Sequence, residues 1–244
     1  MQSFYRRFTF GLSLLLAASA YAQTSLPSRP AGIDDTLWKR LIEANNLTAQ
    51  VADLTADFQQ QKVTAMLRKP LISSGKIFLR GPVMLWNTIK PEPTVLRIDP
   101  REVRLYYPRE KTVEVYAITD KLGALAASPI PRLDVLVKYF NFENLDVTVF
   151  GESDSRKYLA LKLTPIAGGD LDKYIKEVRV LIDTTNGQLA RMEMTDIDGD
   201  RTIVSFSNVR INSGLTEKDV ALEIPADVKI VHPLAGLEPS EPRQ

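Results

Sequence analysis

The sequence predicts a mainly β (α+β) fold: a single strongly curved antiparallel sheet forming an open half-barrel, with an N-terminal helix and a short inserted helix covering its concave face. Two observations predict it. About ten short runs alternate between apolar and polar residues, with turn residues between them at hairpin spacing. Two other segments have apolar residues at helical spacing, and the sheet is the only surface on which those stripes can be buried.

The N-terminal segment has the features of an export signal. Two arginines precede a short apolar run over residues 8–18, and Ala20-Tyr21-Ala22 matches the small-x-small pattern of a signal peptidase site. We therefore expect residues 1–22 to be a signal peptide cleaved after Ala22 and the protein to be located in the periplasm. Gln23 stands where a bacterial lipoprotein has its acylated Cys, so we expect no lipid anchor.

Composition limits the partners. The chain has 244 residues, 44% of them hydrophobic, with no Cys and a formal net charge of +1 at pH 7. Removal of the signal takes away two arginines and changes the charge to −1. A chain so close to neutrality gives no reason to expect nucleic acid or an anionic membrane surface as the main partner. Because it has no thiol, its core must be stable without disulfides.

A helix is expected at the start of the folded domain. Residues 23–33 contain Ser, Pro and Gly without periodicity and are interpreted as a flexible lead to a half-barrel domain over residues 34–231. The Asp pair at 34–35 can cap the helix. Apolar residues from Leu37 to Ala44 form one stripe, and Asn45-Asn46 is expected to end the helix.

Strands are expected over most of the remaining domain. Prolines separate several of them, because proline lacks the N–H that a central strand must donate. Asn-Gly and Asp-Gly pairs favour the tight turns that join antiparallel neighbours. The predicted strands are 54–59, 76–80, 83–89, 95–99, 103–107, 112–117, 146–150, 159–163, 178–183, 189–196 and 201–211, with a last one around Ile224-Pro225.

Residues 118–141 interrupt the strand pattern. A small apolar run and two prolines precede apolar residues at helical spacing. We expect one short inserted helix here, with Leu133, Leu136 and Phe140 forming a lid over the sheet. Residues 232–244 are interpreted as a Pro-rich tail.

The sequence contains no recognisable catalytic or metal-binding motif. The only histidine, His232, lies in the tail, no G-x-S-x-G motif occurs, and a zinc site would need several His or Cys ligands. The acidic segment 196–200 has Gly199 at its fourth position, whereas a calcium loop of the EF-hand type needs Gly at the sixth, so we interpret it as a hairpin turn. We expect no catalytic residue, metal or cofactor, although a pair of distant carboxylates stays possible.

Several motifs in a fixed order resemble one family. They are residues 54–60 (LTADFQQ), 75–82 (GKIFLRGP), Leu85-Trp86, 90–93 (KPEP) and 104–108 (RLYYP). In this order, within residues 34–231, the chain is similar to the periplasmic outer-membrane lipoprotein carrier (LolA-like) family. The resemblance implies a monomeric carrier that takes acylated lipoproteins from an inner-membrane release complex to an outer-membrane acceptor. It also implies that Arg80, at the end of the second strand, is a latch that bonds the closing helices.

A cavity between sheet and helices would bind acyl chains, since each buried CH₂ contributes roughly 0.8 kcal/mol. The candidate ligand-binding side chains are Phe58, Trp86, Leu96, Tyr106, Leu161, Val180 and Met192. Core packing explains each of them equally well, and an assignment of strand faces can slip by one residue. Three other functions stay open: a lipid- or lipoprotein-sensing regulatory module of the cell envelope, a carrier of a pathway-specific glycolipid, and an unrecognised hydrolase.

Overall fold

The computed structural model describes residues 27–30, 33–117 and 133–233, which contain two α-helices and one sheet of 12 strands. The helices are α1 (Asp35–Thr48) and α2 (Leu133–Tyr139). The strands are β1 (Asp53–Val63), β2 (Leu71–Arg80), β3 (Val83–Lys90), β4 (Thr94–Ile98), β5 (Glu102–Tyr107), β6 (Thr112–Ala117), β7 (Phe140–Leu145), β8 (Tyr158–Pro165), β9 (Ile175–Asp183), β10 (Gln188–Asp196), β11 (Arg201–Ile211) and β12 (Lys229–Val231). The predicted signal peptide, most of the lead, the residues before α2 and most of the tail lie outside the described residues.

The strand order is β12-β6-β5-β4-β3-β2-β1-β11-β10-β9-β8-β7. Strands β1 to β6 and β7 to β11 form two antiparallel meanders, which are joined where β1 pairs with β11. The predicted mainly β fold with one open, curled sheet is confirmed. One edge differs from the expectation, because β12 pairs with β6 in parallel.

Helix α1 begins and packs as its sequence predicts. The Asp34 carboxylate accepts the N–H of Leu37 at 2.8 Å and so caps the first turn. Leu37, Leu41 and Ala44 are buried. The helix continues past Asn45 to Thr48, and the Asn45 side chain accepts the backbone N–H of Leu133 at 3.3 Å, so it links α1 to the start of α2.

Three local predictions are wrong, each for an identifiable reason. Residues 146–150 were expected as a strand, but Val147–Phe150 form a 3-10 turn because the Asp146 carboxylate accepts the Thr148 N–H at 2.9 Å. Phe140 was expected in the inserted helix but begins β7, because its backbone pairs with Pro165 of β8. The last strand is Lys229–Val231, not the segment around Ile224-Pro225, where proline lacks a donor.

The sheet has two covered faces. Side chains alternate between the faces along each strand, and residues paired across strands share a face. One face, called the inner face here, packs against α1 and α2 and holds the main core. Part of the other, outer face is covered by the C-terminal segment 212–231: Val220 is buried, and its carbonyl accepts from Arg97 Nε at 3.2 Å.

Candidate functional site

Six of the seven predicted ligand-binding residues lie together on the inner face. Trp86 is paired with Ile77 and Leu96, and Val180 is paired with Leu161 and Met192. Phe58 lies on the same face of β1, and all six belong to the buried cluster that includes the stripe of α1. The inner face is therefore a continuous apolar surface across the sheet.

The prediction that Tyr106 lines the cavity with the other six residues is wrong. Tyr106 is paired with Val95 and Val113, whereas its neighbours Leu105 and Tyr107 belong to the inner-face cluster. It therefore lies on the outer face. The sequence pattern is ambiguous here because residues on both faces of β5 are buried, so apolar residues no longer mark one face by alternation.

Aromatic rings form the centre of the inner face. The rings of Phe58 and Trp86 have centroids 4.4 Å apart, and Phe206 contacts Trp86 edge-on at 6.2 Å. Phe206 is half-buried and is paired with Phe58 through the β1–β11 contact. It was not among the predicted residues, since the pairing of strands about 150 residues apart leaves no local signal.

A small gap lies at the edge of this cluster. The gap is large enough for roughly one water molecule. Gln188 contributes its one polar side chain: Nε2 donates to the Asn186 carbonyl at 3.0 Å, and Oε1 accepts no hydrogen bond. An acyl chain can occupy this part of the inner face only if its covering residues move. The gap is lined by Leu54, Ala56, Ile77, Gln188, Leu189, Phe206 and Val209.

Helix α1 covers the inner face with few polar attachments among the described residues. Arg40 Nη2 donates to the carbonyls of Ser155 and Tyr158, both at 2.8 Å. Thr48 Oγ1 donates to the Gly187 carbonyl at 3.0 Å. Apart from the hydrogen bond of Asn45 to Leu133 of α2, the remaining contact described is the apolar stripe, so α1 can leave the sheet by exchanging one apolar surface for another.

Gly187 lets α1 approach the β9–β10 turn. Its φ is +74°, and a Cβ added there would lie 2.5 Å from the Ala44 carbonyl oxygen and 2.9 Å from Thr48 Oγ1. No other residue fits both this backbone conformation and this contact without moving the helix. The Asn186-Gly187 turn predicted from the sequence is thus also the surface on which helix α1 packs.

The lid residues are placed in different elements. Leu133 is buried at the start of α2, and Leu136 packs partly buried against the same cluster. Phe140 is buried too, but it belongs to the edge strand β7 and not to the helix. The other residues expected between Ala117 and α2 lie outside the described part of the chain.

The prediction that Arg80 latches the helices is wrong. Arg80 Nε donates to the Leu215 carbonyl at 3.0 Å, and its guanidinium lies 3.7 Å from Glu217. It therefore holds the C-terminal segment 212–231. The physical reason is its place in β2: Ile77 and Leu79 face inward, so Arg80 points to the outer face.

The described residues offer no site for a metal ion. Within the described ranges, no group of three or more His, Cys, Asp or Glu side chains is arranged to hold a metal ion. In that part of the chain, no helix is long and apolar enough to cross a bilayer. At the β6 edge, the Tyr116 hydroxyl donates to the Glu114 carboxylate at 2.8 Å, so the inner face becomes polar there.

A curled open sheet with a continuous apolar inner face under a helix defines the class of open half-barrels closed by helices. Residues 49–219 match the family described as outer membrane lipoprotein carrier protein LolA, and the chain belongs to this family. That description is of a carrier and names no catalysed reaction.

Individual relatives are distant. An outer-membrane lipoprotein carrier protein of Dechloromonas aromatica is 25% identical over 218 residues, covering 89% of this chain and 95% of that protein. One of Idiomarina loihiensis is 25% identical over 187 residues, covering 76% and 84%. Among solved structures, an uncharacterized conserved protein from Thermus thermophilus covers 81% of this chain and 99% of its own, with 14% identity and a TM-score of 0.49.

Proposed function

We propose that the protein is a periplasmic carrier that binds the acyl chains of lipoproteins, or of a related lipid, between the inner face and the lid helices, and carries them towards the outer membrane. The observation that carries this proposal is the continuous apolar inner face under α1, a helix with few polar attachments. The proposed partners are acylated cargo, an inner-membrane release complex and an outer-membrane acceptor. Export with cleavage after Ala22 belongs to the same proposal.

The arrangement of sheet and helix suits a carrier because it allows acylated cargo both to bind and to be released. Burial of each acyl CH₂ contributes roughly 0.8 kcal/mol, so a few chains give a large gross affinity. The stripe Leu37, Leu41 and Ala44 occupies the inner face in the cargo-free state. The free energy needed to displace α1 is subtracted from the gross affinity, which leaves a net affinity weak enough for transfer to an acceptor.

The direct test is displacement of a fluorescent apolar probe from the purified protein by a triacylated lipopeptide. We expect saturable displacement by the lipopeptide and none by the same peptide without its acyl chains. Displacement by free glycolipid or phospholipid but not by lipopeptide would favour the carrier of a pathway-specific glycolipid. Failure of the probe to bind at all would contradict the cavity.

Matched variants locate the binding surface. Phe206→Glu places a charge on the inner face beside Trp86, and Val115→Glu places one on the outer face, where Val115 is paired with Arg104. Both positions are half-buried, so the two changes are comparable for folding. We expect lipopeptide affinity to fall roughly 100-fold in the first variant only, because a carboxylate is costly to bury against acyl chains. Equal affinity in both would contradict binding on the inner face.

A further inference from the structure

The segment from Phe58 to Lys90 has an unusual charge for this chain. It contains six basic residues and no acidic one, while the whole protein has 31 basic and 30 acidic residues. The segment spans most of β1, all of β2 and β3, and the loops between them. The segment is therefore distinctly basic in sequence, although Lys76 pairs with Asp57 at 2.7 Å and Arg80 lies 3.7 Å from Glu217.

Exposed aliphatic side chains lie at the tip of the same region. Lys62 is paired with Leu71, and Lys90 with Ser74, so the β1–β2 loop and the end of β3 lie at one end of the sheet. We call residues 64–72 together with 89–90 the basic tip. Its exposed aliphatic side chains, with exposed fractions, are Met66 (69%), Ile72 (56%), Ile89 (49%) and Leu71 (38%). Arg68, Lys69 and Lys90 are exposed among them.

The basic tip lies at the end of the half-barrel away from the attachments of α1. Those attachments are at Ser155, Tyr158 and Gly187, beyond the opposite ends of β8, β9 and β10. Lys62, at the end of β1 that leads into the tip, is paired with Thr202, next to the β10–β11 turn. The tip is therefore part of the rim formed by the loops at the end of the sheet opposite the attachments of α1.

The other half of this rim has the opposite charge. Tyr174 and Ile197 are also exposed, at 67% and 59%, and the Ile197 N–H donates to the Tyr174 carbonyl at 3.2 Å. Five aspartates lie in the β8–β9 loop and at the β10–β11 turn: Asp170, Asp172, Asp196, Asp198 and Asp200. Exposed apolar residues thus occur on both halves of the rim, but the basic tip has a net positive charge, whereas in the other half aspartates outnumber the lysines beside Tyr174.

We propose that the basic tip docks the protein on an anionic lipid surface. Met66 and Ile72 enter the headgroup region, and Arg68, Lys69 and Lys90 neutralise lipid phosphates. Apolar insertion next to basic side chains is the combination that binds anionic membranes. The aspartates of the other half of the rim are repelled by the same surface, so the protein is tilted with the basic tip towards the lipid. This proposal extends the carrier function and does not depend on the nature of the cargo.

Co-sedimentation with vesicles tests the docking. We expect the protein, purified after export and removal of its signal segment, to bind vesicles of phosphatidylethanolamine mixed with phosphatidylglycerol. It should bind phosphatidylcholine vesicles much more weakly. Added salt should weaken the binding, because it screens exposed charges. Arg68→Gln with Lys69→Gln should reduce the partition coefficient about 30-fold, since each charge near the surface contributes about a factor of five. Ile72→Ser should also reduce it.

The acidic half-rim supplies matched controls. Lys173→Gln with Lys176→Gln changes the net charge by the same amount, and Ile197→Ser removes an equally exposed isoleucine. Neither should change vesicle binding. Equal binding to both vesicle types, or equal loss in tip and control variants, overturns the proposal and leaves the tip as a contact for a protein partner. Lipopeptide displacement is measured without vesicles, so a failure of docking is distinct from a failure of cargo binding.

Discussion

The Asp53 carboxylate, at the start of β1, accepts four hydrogen bonds from residues 213–215. Its oxygens accept from the backbone N–H groups of Ser213 at 2.7 Å, Gly214 at 2.9 Å and Leu215 at 3.2 Å, and from Ser213 Oγ at 3.0 Å. Burial by itself raises the pKa of Asp53, but these hydrogen bonds outweigh it and hold the pKa below the ordinary 3.8. The carboxylate thereby fixes the start of the C-terminal segment 212–231.

Asp53→Asn should lower the free energy of unfolding by about 1–3 kcal/mol near neutral pH, because an amide offers N–H donors to groups that need an acceptor. The folded pKa is depressed, so this stabilisation is present above the unfolded pKa of about 4 and is lost as the pH falls through the folded pKa. Urea unfolding across that range should show the two proteins converging in acid.

Asp35→Asn is the control, since the Asp35 carboxylate is 92% exposed although it pairs with Arg29. It should change stability by less than about 0.5 kcal/mol. An equal loss in both variants would contradict a special role for Asp53.

At the scale of elements, helix α1 and the β9–β10 turn form a unit that competes with cargo. The helix rests on Gly187, where any Cβ would collide with the Ala44 carbonyl oxygen at 2.5 Å. Arg40 and Thr48 attach it to backbone carbonyls at the same end of the sheet, and Asn45 attaches it to Leu133 of α2. A change that raises the free energy of the closed helix should therefore favour cargo.

Gly187→Ala is expected to destabilise the cargo-free protein and to strengthen lipopeptide binding, by about tenfold if 1–2 kcal/mol of closure is lost. Thermal unfolding and probe displacement measure the two effects. Gly199→Ala is the matched control: Gly199 has a φ of +87° but no atom within 4 Å of the added Cβ. It should lower stability and leave affinity unchanged. Unchanged affinity in Gly187→Ala would contradict competition by α1.

The whole molecule is stabilised by one large core, without disulfides. The main cluster joins both meanders and both helices, and the sequence has no Cys. Because cargo is proposed to bind within this core, its binding free energy should add to the stability of the complete fold.

Lipopeptide at about 100 times its dissociation constant should stabilise the protein by about 2.7 kcal/mol and raise the Tm by roughly 5–10 °C. Differential scanning calorimetry measures the shift. The de-acylated peptide should have no effect. Phe206→Glu should shift the Tm by only about 1 °C at the same lipopeptide concentration, because a 100-fold weaker affinity leaves about 0.4 kcal/mol of stabilisation. A shift produced equally by the de-acylated peptide would contradict acyl recognition.

Local chemistry made much of this protein predictable. The cap at Asp34, the stripe of α1 and the turns at Asn186-Gly187 and Asp198-Gly199 lie where the sequence predicts them, because helical period and turn preference depend on residues close in the chain. The LolA family resemblance, carried by ordered motifs, is confirmed as well. Cleavage after Ala22 and the domain bounds stay predictions.

The tertiary structure decided which face each side chain occupies and what covers it. Phe206 joins the inner face through pairing of β1 with β11, and Arg80 is directed to the C-terminal segment 212–231 rather than to the helices. Tyr106 lies on the outer face although it is buried like its neighbours. Alternation reports a face only where one side of a strand is solvated, so burial on both sides and pairing between distant segments leave no local pattern to interpret.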